Sequence, residues 1–219
     1  MSSINYFGGT MKTIIFDVDG TLLSTEAMYM QSLIQTFKDR GIEKSYEEVY
    51  KVFGLPSLDG LIKMDAPEPE KMQLEWQSHY EDFWHEVKVF SGVDEMLAKL
   101  KANKFILGIV TSNTKEEFTS NTSQFDFAKY FDRFVFAGET PKMKPAPDPI
   151  LKSLSDLHAD PQSAMYVGDS IHDMQAAHNA GIKFGMAAWG VRDQMIFNNQ
   201  ADYVFKTPQE LFEFAISNR

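Results

Sequence analysis

Short apolar runs alternate with helical periodicity along most of the chain, and one long interval breaks that alternation. The first run, Ile14-Ile15-Phe16, is β-branched and aromatic with no polar residue between, which predicts a strand buried on both faces of a parallel sheet. It ends in Asp17-Val18-Asp19-Gly20-Thr21. The interval from Ser24 to Phe90 is helical throughout. Ser24 and Thr25 are candidate N-caps for a helix carrying Met28, Leu33, Ile34 and Phe37, which Gly41 stops. Ser45 with Glu48 spells a capping box for a short helix ended by Gly54, and Pro56 opens a third. Pro67 and Pro69 precede a fourth helix, expected over about 70–87. In it Trp76, Tyr80, Phe83 and Trp84 recur at helical spacing, the pattern of the segment's own core. His79 and His85 have no partners at metal-ligand spacing and are read as surface or edge residues.

From Phe90 the chain alternates strand and helix. Ser91 is a candidate cap for a helix through Val93, Met96, Leu97 and Leu100, followed by a strand over 105–110 that ends in Thr111-Ser112-Asn113. A helix over 115–124 leads to a short strand over 134–136. The loop over 138–149 holds Lys142, Lys144 and four prolines and runs into a helix over 150–157. The next strand, 164–167, ends in Gly168-Asp169-Ser170-Ile171-His172-Asp173, and a small-residue helix to Ala180 is closed by Gly181. Segments 183–187, 203–205 and 207–216 complete the series. Such alternation predicts a parallel sheet with right-handed crossovers, an α/β fold.

Composition narrows the partners. The 219 residues, 43% hydrophobic with 18 Phe, suffice for a packed core. The net charge of -10, without a Lys/Arg run, disfavours a nucleic-acid backbone as partner. Zero Cys removes disulfides, thiolate chemistry and Cys-ligated zinc, and fits a reducing compartment. No apolar run reaches the length of a membrane span, and residues 1–12 hold no signal-peptide core, so a cytoplasmic protein with no membrane partner is expected. The first ten residues lack periodicity and read as an extension or an alternative start without chemistry.

The candidate chemistry lies at the strand ends. On an extended backbone Asp17 and Asp19 point to one face, and two close carboxylates repel, which makes a divalent cation their natural partner. In a parallel sheet Asp17 and Asp19, Thr111 and Ser112, Asp169 and Asp173 open on one edge, with Lys144 in the loop between, so a metal site and a phosphate site converge. At these positions the chain resembles the haloacid dehalogenase superfamily: DVDGT at 17–21, TSN at 111–113, KPAPD at 144–148 and GDSIHD at 168–173 stand in that family's order. The resemblance implies a Rossmann-like doubly wound parallel sheet, built from 11–23 and 91–219, with a small all-helical cap domain over 24–90. It implies Asp17 as the nucleophile that forms an aspartyl-phosphate and Asp19 as acid and then base. Mg²⁺ would be held by Asp17, the Asp19 carbonyl and Asp169. Thr111, Ser112, Asn113 and Lys144 would bind the phosphoryl group, and Asp173 would orient Lys144 or a metal-bound water. His172 has no family role and reads as a solvated helix-terminus residue; Lys142 and Arg192 read as surface charges.

The cap resemblance implies a substrate-selecting lid on hinges near Ser24 and Phe90. Residues 24–90 carry thirteen Asp/Glu against seven Lys/Arg, which offers no second strong anion site. Phe53-Gly54-Leu55-Pro56-Ser57 resembles the cap loop of phosphoglycolate phosphatases, whereas the residues after it depart from that pattern, and Lys63 is the nearest cap cation. The expected function is a Mg²⁺-dependent phosphatase acting on a small phosphorylated metabolite, as a monomer or homodimer. The alternatives are a β-phosphoglucomutase-type mutase and an inorganic pyrophosphatase of the same superfamily. Those mutases usually carry Glu where this chain has Gly168, which favours hydrolysis; a true dehalogenase lacks the second aspartate, present here as Asp19.

Overall fold

The computed structural model describes residues 10–219, so most of the expected extension, residues 1–9, lies outside the described residues. These divide into two compact units, one of 10–22 with 89–219 and one of 23–88.

The larger unit is built on a six-stranded sheet. Its strands are β1 (Thr13–Phe16), β4 (Ile106–Val110), β5 (Arg133–Val135), β6 (Ala164–Gly168), β7 (Lys183–Ala187) and β8 (Tyr203–Phe205); β2 and β3 lie in a separate ribbon described below. The order is β5-β4-β1-β6-β7-β8, and every pairing is parallel. Helices α5 (Val93–Ala102), α6 (Lys115–Thr122), α7 (Asp148–Asp156), α8 (Ile171–Asn179) and α9 (Pro208–Ser217) flank it, giving the parallel α/β fold the alternation predicted, in the Rossmann-like form the resemblance implied. From β1 the chain winds outward through β4 and β5, then returns to β6 and winds the other way. The winding therefore reverses between β1 and β6, the point at which open α/β sheets bind ligands at the strands' carboxyl ends. Ile15, Val110 and Tyr166 pack with Ile150 and Leu154 of α7 and with Met174 and Ala177 of α8.

Some local expectations shift. The chain bends at Val18, between the two aspartates, and Leu22 N–H donates to the Val18 carbonyl at 2.8 Å, closing a turn over 18–22. Ser91 does not cap α5: Gly92, with φ of +86°, takes the N-cap position in a conformation that costs a β-carbon residue more. Helix α6 is capped by Thr114 and Glu117, a box hidden in a polar stretch.

In the unit of 23–88, the helices are α1 (Glu26–Asp39), α2 (Tyr46–Tyr50), α3 (Ser57–Lys63) and α4 (Pro69–Ser78). A two-stranded ribbon pairs β2 (Leu23–Ser24) with β3 (Lys88–Val89), whose last residue belongs to the larger unit. Ser45 and Glu48 form the predicted capping box. Ser24 lies in β2, and Thr25 stands at the N-cap of α1 without a side-chain cap bond. The fourth helix is shorter than its periodicity predicts: α4 stops at Ser78, and 81–86 forms a tighter 3₁₀ turn. The aromatic stripe divides there. Trp76 and Tyr80 are buried around Tyr29, while Phe83 and Trp84 are half-buried. The Trp76 indole donates to the Tyr29 carbonyl at 3.1 Å and to Ser32 Oγ at 2.8 Å, so the ring's polar edge is satisfied inside this core. His79 lies between Asp39 and Asp82, at 2.9 and 3.1 Å, and His85 pairs with Glu86.

Candidate active site

The parallel register decides which side chains meet. Phe16 stands beside Ile109 of β4 and Val167 of β6, so the residues that follow these strands emerge at one edge. Asp17 comes directly after β1, Thr111 after β4 and Asp169 after β6. Lys144 arrives from the loop before α7, and Asp173 from the first turn of α8.

Asp17, Lys144 and Asp173 form a buried ion triad. Lys144 Nζ lies 3.0 Å from Asp17 Oδ1 and 2.7 Å from Asp173 Oδ1, and its side chain is 1% exposed. Asp173 is itself held by its helix. Its Oδ2 accepts from the N–H of Ser170 at 3.0 Å and from Ser170 Oγ at 2.7 Å, a capping box that the GDSIHD motif encodes. The position expected to orient Lys144 thus contacts it directly.

The turn after β1 and the start of α8 meet without spare room. Gly20 has φ of +79°, and a β-carbon there would stand 2.2 Å from Asp169 Oδ2, so glycine serves both the turn and the carboxylate's approach. Thr21 Oγ1 donates to Asp169 Oδ1 at 2.8 Å, and the Trp189 indole donates to the Thr21 carbonyl at 2.8 Å. Gly168 has no room either: a β-carbon would lie 2.5 Å from Asp173 Oδ2. Glycine before Asp169 therefore belongs to the packing that lets Asp173 reach Lys144.

Asp19 is half-buried, and Asn113 Nδ2 donates to Asp19 Oδ2 at 2.8 Å. The third residue of the TSN motif thus fixes the second aspartate. Thr111 is fully buried, and its Oγ1 accepts from the Asn113 N–H at 3.1 Å, which leaves the hydroxyl hydrogen to donate elsewhere. Ser112 is half-buried. His172 is half-buried and not fully solvated as its sequence position suggested; Lys142 and Arg192 are exposed.

The electrostatics mark a deficit of positive charge. Burial, then the Asp173 carboxylate, pushes the Asp17 carboxyl up to about 7 against the pull of Lys144. Burial and the same neighbour raise Asp169 well above the usual carboxylate range. Burial acts to lower the Lys144 ammonium, but Asp17 and Asp173 outweigh it and hold the lysine charged. Carboxylate oxygens of Asp17, Asp169 and Asp173 lie within 4.8 Å of one another. Three buried carboxylates against one ammonium fit a hard divalent cation, which takes oxygen ligands and would supply the missing charge. Asp173 is the least available of the three, since both its oxygens already accept. Asp17 and Asp169 can therefore hold a metal, and the turn at Gly20 brings the Asp19 main chain beside them.

Sequence reading missed three residues. Thr21 entered only as part of the DVDGT motif, Tyr166 only as a position within the strand over 164–167, and Trp189 not at all. Tyr166 is fully buried on β6, with its hydroxyl 2.9 Å from the Val110 carbonyl and 3.2 Å from Lys144 Nζ. Burial foremost holds its phenol protonated. The available signal was a polar tip on a strand otherwise apolar, because such a tip needs a partner when buried.

A sequence profile of the family described as haloacid dehalogenase-like hydrolase matches residues 14–187. A putative pyrophosphatase PpaX of Caldanaerobacter subterraneus is 30% identical over 204 residues, covering 91% of this chain and 92% of that protein. The putative pyrophosphatase PpaX of Clostridium perfringens is 30% identical over 210 residues, 93% of this chain and 96% of its own. Among solved structures, a putative phosphoglycolate phosphatase from Lactobacillus plantarum superposes with a TM-score of 0.86 at 26% identity, over 94% of this chain and 99% of that one. A putative beta-phosphoglucomutase from Thermotoga maritima shares the fold, with a TM-score of 0.75 at 24% identity over 94% and 99% of the two chains.

Proposed function

We propose that this chain, which belongs to the haloacid dehalogenase-like hydrolases, is a Mg²⁺-dependent phosphatase of small phosphorylated metabolites. The observation that carries the reading is the buried Asp17–Lys144–Asp173 triad with Asp169 beside it, at the point where the sheet's winding reverses.

In this reading an Asp17 oxygen attacks phosphorus in line, forming an aspartyl-phosphate while the bond to the leaving oxygen breaks. Asp19, steadied by Asn113, gives its proton to that oxygen and then takes one from the water that opens the acyl phosphate, releasing phosphate and restoring Asp17. Thr111 donates its free hydroxyl hydrogen to a phosphoryl oxygen, with the Ser112 and Asn113 main chain alongside. Lys144 pulls the Asp17 carboxyl toward its ionised form against the effect of burial and neutralises charge that develops on the phosphoryl group. Mg²⁺, held by Asp17, Asp169 and the Asp19 carbonyl, would offset the repulsion between nucleophile and phosphate. The helical unit is assigned the choice of leaving group.

Hydrolysis of pyrophosphate is the second reading, favoured by the two PpaX relatives at 30% identity. The acidic composition of 24–90 favours a substrate with one phosphoryl group instead. Phosphate release from 2-phosphoglycolate, an aryl phosphate and pyrophosphate, each with Mg²⁺ and after chelation, separates these readings. Loss of turnover on chelation is expected, with a monoester preferred by about tenfold or more in kcat/KM, a margin of roughly 1.4 kcal/mol. Full activity without metal would sink the assignment, and a reversed preference would move it to pyrophosphate.

A further inference from the structure

An ammonium group has three N–H donors and no acceptor. Lys144 is buried, and all three donors have partners: Asp17 Oδ1 at 3.0 Å, Asp173 Oδ1 at 2.7 Å and the Tyr166 hydroxyl at 3.2 Å. Two of these are acids from the strand-end motifs. The third stands in the middle of β6, outside every motif. A phenol has one hydrogen, and the Val110 carbonyl at 2.9 Å is the nearer acceptor for it, with Asp173 Oδ1 at 3.3 Å. Donating to Val110 leaves an oxygen lone pair turned to Lys144. Val110 is the last residue of β4, next to Thr111, so this short chain of bonds ties the ammonium to the main chain that carries the expected phosphoryl-binding hydroxyl. The Tyr166 ring also lies beneath Nζ, 5.8 Å from its centroid.

We propose that Tyr166 is a positioning residue that anchors the Lys144 ammonium to β4, at the point from which it reaches both Asp17 and Asp173. Without the hydroxyl one buried N–H loses its acceptor, and the lysine relaxes toward another oxygen. The kinetic consequence rests on the phosphatase reading; the bond itself does not.

Tyr166→Phe keeps the ring and removes only the oxygen. With an aryl phosphate and saturating Mg²⁺, kcat is expected to fall about tenfold with KM within about twofold, while the melting temperature stays within a few degrees. In lysine-¹⁵N-labelled protein the side-chain ammonium signal of Lys144, assigned by its loss in Lys144→Arg, is expected to move or vanish in Tyr166→Phe. An unchanged kcat, an unmoved ammonium signal, or loss of the cooperative melt would each overturn the proposal and leave Tyr166 a packing residue. If the unmodified protein releases no phosphate from any phosphorylated substrate, the functional reading fails, and the ammonium signal alone then decides whether Tyr166 holds Lys144.

Discussion

At the sheet edge three carboxylates and one ammonium lie buried together, whereas in the helical unit the charges stay outside and the interior is aromatic. Arg40 in that unit pairs with Glu75 at 2.7 Å near the surface, and Tyr29, Trp76 and Tyr80 meet edge to face with centroids 5.1 to 6.2 Å apart. Surface pairs of this sort contribute about 0–1 kcal/mol, while buried aromatics carry far more. The edge cluster works against stability, because desolvating like charges raises Asp17 and Asp169, and the pull of Lys144 on both and of the Thr21 hydroxyl on Asp169 offsets this only in part. A fold that retains such a cluster beside a largely apolar sheet interior is marked there as a candidate site for chemistry.

Breaking the cluster should therefore affect reaction and breaking the aromatic core should affect stability. Asp17→Asn keeps the shape of the nucleophile and removes its charge. Phosphate release is expected to drop by about 10³-fold or more, with a melting temperature at neutral pH that is not lowered. Residual turnover within about tenfold of the parent would point to another nucleophile. Trp76→Ala is the opposite case. It empties a buried site and strands two acceptors, and a loss of about 3–5 kcal/mol in denaturant unfolding is expected for the helical unit. A loss under about 1 kcal/mol would mean that this core is not what holds the helices together.

Gly168→Ala sharpens the comparison at the smallest scale of change, one methyl group. The added carbon meets the Asp173 carboxylate, so Lys144 should lose its strongest partner, with kcat reduced about 10–100-fold and stability changed by no more than about 1–3 kcal/mol. Unaltered kcat would show that Asp173 can shift at no catalytic cost. The weakest expected effect lies in the helical unit, where Asp82 and then Asp39 raise the pKa of His79 above 6.5. A histidine raised in this way stabilises fully below its unfolded value and loses that contribution as pH rises through the folded value. The difference in melting temperature between the parent protein and His79→Gln should shrink as pH rises above 6.5; a difference constant with pH would remove His79 from the balance.

Much of the larger unit was legible because parallel strands announce themselves as short apolar runs and because the residues after them carry polar groups. Strands β7 and β8 fall on the residues their pattern indicates, and Asp17, Lys144, Asp169 and Asp173, at strand-end and loop positions, became candidate site residues through motifs that resemble the family's. The helical unit was legible in its capping box and aromatic stripe but not in where the fourth helix stops. Helical spacing runs on past Ser78, whereas α4 stops there and 81–86 forms a 3₁₀ turn that leaves Phe83 and Trp84 half-buried.

The sequence by itself determined the element types, the parallel topology and the residue types available at the edge, since periodicity and local turn chemistry depend only on neighbours in the chain. Only the tertiary structure decided who holds whom. Thr21 on Asp169, Asn113 on Asp19, Trp189 on Thr21 and Tyr166 on Lys144 join residues from 22 to 168 positions apart, through bonds whose acceptors lie on other strands and turns. Gly20 follows the same rule, since its lack of a side chain is required by Asp169, a carboxylate far along the chain that folds in against it, whereas Gly168 makes room for Asp173 within its own motif.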